Sequence, residues 1–306
     1  MSDRSPLSLL LKRLLKRPAV VVAAGYLLAV IALALLTPAL GLPAPDAVHP
    51  ANAYSAPSLS SHEEIPGGFL GRDALGRDLL SRLLWGARIS LLSAAAAAAV
   101  SLLIGVSWGM VAGYFGGLLD EMMMRIVDLL YSIPFIFVVI FLVTVIRGMG
   151  LDDGQAGLWI FFLVLGLVYW LTMARVVRGE VVSLREREFV EGARALGATP
   201  SRVLIGHILP NLVPIVIVTL TLTVPRILLF EAFLSFLGLG VQAPLVSWGT
   251  LARDAFEVIN PVSSAWWLVL YPSLALALTL LALNLIGDAL RDILDPRLGS
   301  DNPGAS

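Results

Sequence analysis

The chain has 306 residues, of which 58% are hydrophobic and 14% are charged, and its formal net charge is -1. Its mean hydropathy of +0.88 excludes an ordinary soluble domain and makes the lipid bilayer the expected solvent. The near-zero net charge gives no reason to expect a nucleic-acid partner. The absence of cysteine excludes disulfides, thiolate catalysis and cysteine-ligated metals.

Six apolar stretches are long enough, or nearly long enough, to cross a membrane. A transmembrane helix needs about 20 apolar residues to cross about 30 Å of hydrocarbon. The predicted spans are residues 19–38, 89–113, 126–146, 157–173, 212–236 and 266–287. The first is too long for the apolar region of a signal peptide, so we predict an uncleaved anchor. The expected fold class is an all-α membrane protein with about six transmembrane helices.

The distribution of positive charge predicts the orientation of these spans. Most Lys and Arg residues precede the first span, lie between the fourth and fifth, or follow the sixth. Such segments remain in the cytoplasm, so both termini are predicted to be cytoplasmic. The predicted divisions are a cytoplasmic N-terminus with the first span (1–38), an extracytoplasmic loop with an amphipathic helix (39–88), a core of five spans (89–287) that contains a cytoplasmic loop (178–211), and a cytoplasmic tail (288–306).

The segment before the second span combines a Pro-, Ala- and Ser-rich loop with a charged, leucine-rich stretch. Asp73 with Arg77 and Asp78 with Arg82 are opposite charges four residues apart, the spacing of neighbours on a helix surface. Leucines recur nearby at helical spacing. The pattern predicts an interfacial amphipathic helix that leads into the second span.

Small residues recur every fourth position along the second span, at Gly105, Gly109, Gly113 and Gly117. This spacing predicts a face on which another helix packs closely within the membrane. The residues around Ser107 also match the Gly-x-Ser-x-Gly pattern of serine hydrolases, but that motif requires a strand-turn-helix context. We therefore predict helix packing and no catalytic residue.

Neither a metal site nor a nucleotide site is predicted. His49 and His62 with a neighbouring glutamate, Glu63 or Glu64, are three loosely spaced ligands, and Pro66 stands where a zinc-protease motif needs its second histidine. The chain also lacks the Gly-x-x-x-x-Gly-Lys-Ser/Thr loop that cradles phosphates. ATP hydrolysis by this chain alone is not expected.

The cytoplasmic loop is more organised than a connector needs to be. Residues 183–186 read Ser-Leu-Arg-Glu, a capping box that predicts the start of a helix. Gly197 is suited to end that helix in a left-handed conformation. Thr199 is expected to cap a second short helix that has Pro200 in its first turn.

The first of these helices is amphipathic, with Phe189, Val190, Ala193 and Leu196 on one face. An amphipathic helix presented to the cytoplasm suits docking into a groove of a partner protein. A helix lying on the membrane surface is the alternative that the pattern leaves open.

The same loop resembles the cytoplasmic signature of binding-protein-dependent ABC permeases. The resemblance is carried by Glu191-Gly192-Ala193, by Gly197 and by Leu209-Pro210. Gly192 stands where alanine is usual. His207 stands where many permeases have an apolar residue, and it resembles the variant that peptide permeases carry. Residues 70–90, 231–249 and 295–298 are similar to the dipeptide, oligopeptide and nickel importer class, so the resemblance covers residues 70–298.

This resemblance implies a type I ABC importer permease fold in a bacterial or archaeal cytoplasmic membrane, and the C-type subunit of a peptide importer. The implied partners are a second homologous permease, two ATP-binding subunits and an extracytoplasmic peptide-binding protein. ATP and Mg²⁺ would be used by the ATPase subunits, and this chain would bind no cofactor.

The resemblance further implies that residues 184–196 form a coupling helix that moves with the ATPases. The implied coupling residues are Phe189, Val190, Glu191, Gly192, Ala193, Arg194, Leu196 and Gly197. Glu191 and Arg194 would contact the ATPase rim, while Phe189, Val190 and Leu196 would fill its groove.

Glu231 lies near the predicted outer end of the fifth span, where an ionisable residue needs water, a partner charge or the bundle interior. We expect it to line or brace the external side of the translocation path, or else to be purely structural. Three other functions stay open: a same-family importer of nickel or another small solute, an intramembrane enzyme built on Ser107 and His207, and a stand-alone channel.

Overall fold

The computed structural model describes residues 13–58, 68–150, 154–257 and 265–294, and within these the regular structure is helical. We number the helices in chain order. They are α1 (Pro18–Leu36), α2 (Leu79–Phe115), α3 (Gly117–Ser132), α4 (Phe135–Gly148), α5 (Gly154–Leu184), α6 (Glu188–Ala195), α7 (Pro200–Val203), α8 (Leu209–Phe236), α9 (Trp248–Glu257) and α10 (Trp266–Leu294), with a π-helical turn at Leu204–Ile208 between α7 and α8.

Among the described residues, five helical stretches are long and apolar enough to cross a membrane: α1, α2, α5, α10 and the run from α7 through α8. The pair α3 and α4 together makes a sixth candidate. The predicted fold class, an all-α membrane protein with about six spans, is therefore confirmed.

The third predicted span is not a single straight helix. The axes of α3 and α4 differ by 86° at a short break. The break lies at Ile133 and Pro134: Ile133 is extended, with φ -86° and ψ 125°, because the ring of the following proline disfavours the helical conformation. The continuous span predicted at 126–146 is wrong for this reason.

The helix predicted to begin near Asp73 begins instead at Leu79 and continues without interruption to Phe115. Asp78 sets the start, since its Oδ2 accepts a hydrogen bond from the Ser81 amide at 2.8 Å, as an N-cap residue does. The preceding residues form a turn, in which Gly76 has a φ of +71°. A separate amphipathic helix before the second span is therefore wrong.

The chain separates into two compact units. The middle unit is centred on Ala96–Val224, and the flanking unit combines Leu15–Ala95 with Pro225–Ile286. In the flanking unit, Ala23 and Leu27 of α1 pack with Ala282 of α10. The Tyr26 hydroxyl lies 3.2 Å from the Thr279 hydroxyl, so the first and last spans of this unit are joined by apolar contact and by a hydrogen bond.

The core of the middle unit extends the fourth span well past its predicted end. Val177, Val181 and Leu184 continue α5 at helical spacing and are buried in one cluster with residues of α6 and α8. Because this packing holds the backbone helical through Leu184, Ser183 lies in the last turn of α5. The capping box predicted at 183–186 is therefore wrong, and α6 starts after Arg187 without a side-chain cap.

Candidate functional site

Helix α6 ends as its sequence predicts. Gly197 has a φ of +83°, a left-handed conformation that glycine adopts without the steric cost of a Cβ. Its amide donates to the Arg194 carbonyl at 2.9 Å, and the Ala198 amide donates to the Ala193 carbonyl at 3.0 Å. The second bond spans six residues, which is the Schellman arrangement that satisfies the last carbonyls of a helix.

The predicted second helix is also present, as the single turn α7. Thr199 is its N-cap, and the Arg202 amide donates to Thr199 Oγ1 at 3.4 Å. Pro200 occupies the first helical position, where its missing amide hydrogen costs nothing. The turn continues through the π-helical residues into α8, so α6 is connected to that span by ordered backbone.

One face of α6 is built into the chain's own core. Val190 is fully buried and packs in the cluster that contains Val181, Val203 and Ile208. Ala193 is partly buried against the same cluster. The sequence-based expectation that Val190 fills a partner's groove is wrong, because its side chain is already enclosed by α5 and by the residues that precede α8.

The opposite face of α6 is open. Leu196 is 91% exposed and Phe189 is 43% exposed, and Glu191 is exposed. A Cβ added at Gly192 would meet no atom within 4 Å. Arg194 lies over the Tyr114 ring at 4.8 Å from its centroid, a cation–π contact that ties α6 to the end of α2. The open face therefore presents two large apolar side chains beside charged ones.

Three glycines of α2 lie directly against α5. A Cβ at Gly105 would come within 2.6 Å of Met173 Cβ, one at Gly109 within 2.6 Å of the Ala174 carbonyl oxygen, and one at Gly113 within 2.8 Å of the Arg178 carbonyl oxygen. Such distances leave no room for any side chain. Gly117 does not belong to this face: it is the first residue of α3, with a φ of +58°, and a Cβ there would meet nothing within 4 Å.

Two arginines near the end of α5 fix α2 and α3, which sequence reasoning missed. Arg178 donates to both carboxylate oxygens of Asp120, at 3.1 Å and 2.5 Å, a two-point contact that constrains orientation. Arg185 Nη1 donates to the Gly113 carbonyl at 3.0 Å. The available signal was Asp120 itself, an acidic residue in the first turn of a helix whose neighbours are mostly apolar.

Glu231 is fully buried in the flanking unit. Its carboxylate accepts hydrogen bonds from the Ser90 hydroxyl at 3.0 Å and the Ser235 hydroxyl at 2.8 Å. Ser90 Oγ in turn accepts from the Trp248 amide at 3.1 Å. In this structure Glu231 joins α2, α8 and the start of α9, and it presents no exposed surface with which to line a passage.

Four charged side chains, from the turn before α2, the start of α2 and α9, form a ring of ion pairs. Asp73 Oδ2 contacts Arg77 Nε at 2.7 Å and Arg82 Nη1 at 2.5 Å. Both arginines also reach Asp254 Oδ2, at 3.4 Å and 3.0 Å. The predicted Asp73–Arg77 pair is confirmed, although it forms in a turn. The predicted Asp78–Arg82 pair is wrong, because Asp78 caps α2 while Arg82 binds Asp73 and Asp254.

The residues considered for other chemistry lie in unsuitable surroundings. Ser107 is in the middle of the uninterrupted helix α2, so the strand-turn-helix context of a nucleophile elbow does not exist there. His207 lies in the π-helical turn. The candidate ligands His62, Glu63 and Glu64, and the tail motif at 295–298, lie outside the described residues.

Comparison with known proteins agrees with this architecture. The family model described as "Binding-protein-dependent transport system inner membrane component" matches residues 105–300. The oligopeptide transport system permease protein OppC of Escherichia coli (strain K12) is 43% identical over 277 residues, which are 90% of this chain and 86% of that protein.

Two further relatives come from Bacillus subtilis (strain 168). Its OppC is 42% identical over 247 residues, covering 80% of this chain and 77% of that protein. Its dipeptide transport system permease protein DppC is 44% identical over 230 residues, covering 75% and 69%.

A solved structure has the same fold. A chain in an inward-facing structure of the MetNI methionine ABC transporter matches with a TM-score of 0.54 at 20% identity, covering 70% of this chain and 94% of that one. The fold is therefore that of an ABC importer permease, and the chain belongs to the family of binding-protein-dependent transport system inner membrane components.

Proposed function

We propose that the chain is the C-type permease subunit of an ATP-driven importer that carries small peptides across the cytoplasmic membrane of a bacterium or archaeon. The proposal is supported by the oligopeptide and dipeptide permeases to which the chain is similar over most of its length. An importer of nickel or another small solute is the alternative within the same family.

In this proposal the pore is completed by a second, homologous permease. Two ATPase subunits dock on the cytoplasmic loops of the two permeases and use ATP with Mg²⁺. An extracytoplasmic binding protein delivers the peptide. Both termini and the loop at 178–211 face the cytoplasm, as the distribution of Lys and Arg indicates.

The open face of α6 is the proposed docking surface for an ATPase. Phe189 and Leu196 supply apolar contacts, while Glu191 and Arg194 supply charged contacts at the rim. Val190 and Ala193 belong instead to the attachment of α6 to the membrane helices. Gly192 leaves space for a close approach, and Gly197 ends the helix so that Leu196 stays exposed.

The observation that best supports a coupling role is that α6 has one face buried in the core and the other exposed. Val190 shares its core cluster with Val181 of α5 and Leu212 of α8, so a force on α6 is transmitted to both spans. ATP-driven closure of the ATPases would then move α6 as a rigid lever and switch the spans between inward- and outward-facing states.

Gentle extraction of a tagged copy from its native membrane tests the whole assignment. We expect a sister permease, one or two kinds of P-loop ATPase and a peptide-binding protein to co-purify. The Leu196→Asp variant changes an exposed residue of the proposed docking surface, so the sister permease should still co-purify with it and the ATPases should not. Recovery of the chain alone in several detergents would overturn the proposal and favour a self-contained channel.

A further inference from the structure

The flanking unit contains a cavity of about 590 Å³. Its walls come from the loop around Asp46, the turn before α2, the segment between α8 and α9, α9 itself and Leu268 of α10. The volume falls within the range of about 300–1,000 Å³ that small-molecule sites occupy. A ligand no larger than one ionised side chain would leave most of this volume empty.

The cavity floor is fixed by Asp73, whose carboxylate is fully used inside the protein. Oδ1 accepts from the amides of Leu75 and Arg77, both at 2.9 Å. Oδ2 accepts from Arg77 Nε and Arg82 Nη1, at 2.7 Å and 2.5 Å. Asp73 therefore positions the two arginines and has no acceptor capacity left for a ligand.

Asp254 differs, because one of its oxygens keeps acceptor capacity. Oδ2 accepts from Arg82 and Arg77. Oδ1 lies 3.8 Å from Arg253 Nη2, which is beyond hydrogen-bond distance. The Asp254 side chain is 27% exposed, so Oδ1 can accept from a ligand. The exposed Asp46 lines the same cavity and adds a second carboxylate.

Cationic groups line the cavity as well. Arg82 is almost completely buried, and its Nε has no hydrogen-bond partner among the described residues. Arg77 and Arg253 also line the cavity, with side chains 21% and 37% exposed. Apolar wall is provided by residues such as Leu75, Val246 and Leu268. The cavity therefore offers both signs of charge together with apolar surface.

We propose that this cavity binds small zwitterionic peptides, an inference that rests on the proposed function. The peptide ammonium lies against Asp46 and Asp254, its carboxylate against Arg77 and Arg253, and its side chains against the apolar wall. A simple anion would leave Asp46 and Oδ1 of Asp254 without a donor, and an apolar ligand would desolvate these oxygens without replacing their water. A short peptide is the ligand class that satisfies all three kinds of surface.

The test is binding of radiolabelled trialanine to the complex purified through this chain, washed free of binding protein and placed in lipid nanodiscs. We expect saturable binding by equilibrium dialysis. Asp46→Asn and Arg253→Gln should each weaken it about tenfold, the loss expected for one charge-assisted hydrogen bond. Trialanine blocked only by N-acetylation and trialanine blocked only by C-amidation should each bind the unmodified protein about tenfold more weakly, for the same reason.

Glu121→Gln is the matched control, because this side chain is 62% exposed and lies outside the cavity. It should leave the affinity unchanged. The inference is overturned by an absence of saturable binding, by equal binding of the blocked peptides, or by Asp46→Asn binding like the unmodified chain. Asp46 is exposed, so this last result does not depend on a folding defect.

Uptake of the same peptide into proteoliposomes that contain the complete complex separates the two proposals. Uptake without binding to the cavity overturns the peptide site and supports the importer function. Binding to the cavity without uptake supports the site and overturns the importer function.

Discussion

Glu231 is a buried carboxylate held by hydroxyl groups. Ser90 and Ser235 donate to it, and Ser90 also accepts from the Trp248 amide. The carboxylate satisfies the hydroxyl groups that donate to it. If it is removed, those hydroxyls lose their hydrogen bonds in a low-dielectric interior, which is unfavourable. At the level of single residues, Glu231 is therefore a brace between segments that lie far apart in the chain.

Substitutions at Glu231 should separate bracing from transport. Glu231→Gln keeps the shape and one acceptor oxygen, so assembly and peptide uptake should stay within about twofold of the unmodified chain. Glu231→Ala strands the Ser90 and Ser235 hydroxyls and should cost about 1–3 kcal/mol, measured as a lower thermal midpoint of the purified complex. Loss of uptake in Glu231→Gln at an unchanged midpoint would instead assign the carboxylate to the translocation path.

Sequence reasoning identified Glu231 as unusual but could not identify its partners. Ser90 lies 141 positions away, and serines inside apolar helices carry no signal of which side chain they meet. The ring of Asp73, Arg77, Arg82 and Asp254 illustrates the same limit. The Asp73–Arg77 pair was predictable from its four-residue spacing. The contact between Arg82 and Asp254, which are 172 positions apart, depends on tertiary packing.

At the scale of elements, α2 and α5 approach closely because three glycines of α2 present no side chain to the backbone and side chains of α5. Gly109→Ala would place a Cβ 2.6 Å from the Ala174 carbonyl oxygen, and backbone on both sides cannot give way cheaply. We expect a loss of about 1–3 kcal/mol, seen as a lower thermal midpoint of the purified complex.

Gly25→Ala is the matched control for Gly109→Ala. Gly25 also lies inside a transmembrane helix, but a Cβ there would meet nothing within 4 Å. Its midpoint should be unchanged or slightly raised, since alanine favours helix more than glycine does. Equal effects of the two substitutions would contradict the close-packed contact.

Element positions were more predictable than element ends. Apolar length located the spans, because hydrocarbon thickness fixes how many residues are needed. Gly197 and Thr199 were read correctly, since caps depend on residues next to each other in sequence. The capping box at 183–186 failed because core packing of Val181 and Leu184 extends α5 over it. The break at Pro134 was missed because a hydropathy pattern averages over a single proline.

At the scale of the whole molecule, the coupling proposal predicts that folding and transport can be separated at α6. Glu191→Lys reverses an exposed charge and leaves the buried face intact, so the complex should assemble. Uptake should fall at least about tenfold, corresponding to about 1.4 kcal/mol of lost interaction, while ATP hydrolysis continues. Peptide uptake and ATPase rates in proteoliposomes measure both.

Glu121→Lys is the control for the charge reversal, because Glu121 is 62% exposed on α3 and lies outside the proposed docking surface. It should transport normally. Normal uptake in Glu191→Lys would remove that residue from the coupling contact.

The predicted orientation can be measured directly, because the chain has no native cysteine. Val48→Cys and Glu186→Cys place single thiols at positions 50% and 73% exposed. A membrane-impermeant maleimide should label Val48→Cys in intact cells and Glu186→Cys only after permeabilisation. The reverse pattern would place α6 outside the cytoplasm and make an ATPase contact impossible.

The make-up of the flanking unit constrains how the protein is made. Because Leu15–Ala95 pairs with Pro225–Ile286, the ribosome releases the first part of this unit long before the second. Ser90 precedes Glu231 by 141 positions, so at about 5–20 residues per second it waits roughly 7 to 30 s for its partner. Throughout that interval the Ser90 hydroxyl cannot bind Glu231. The first spans therefore complete their folding last, and a ribosome that stalls before residue 231 leaves behind an unfinished unit for membrane quality control to remove.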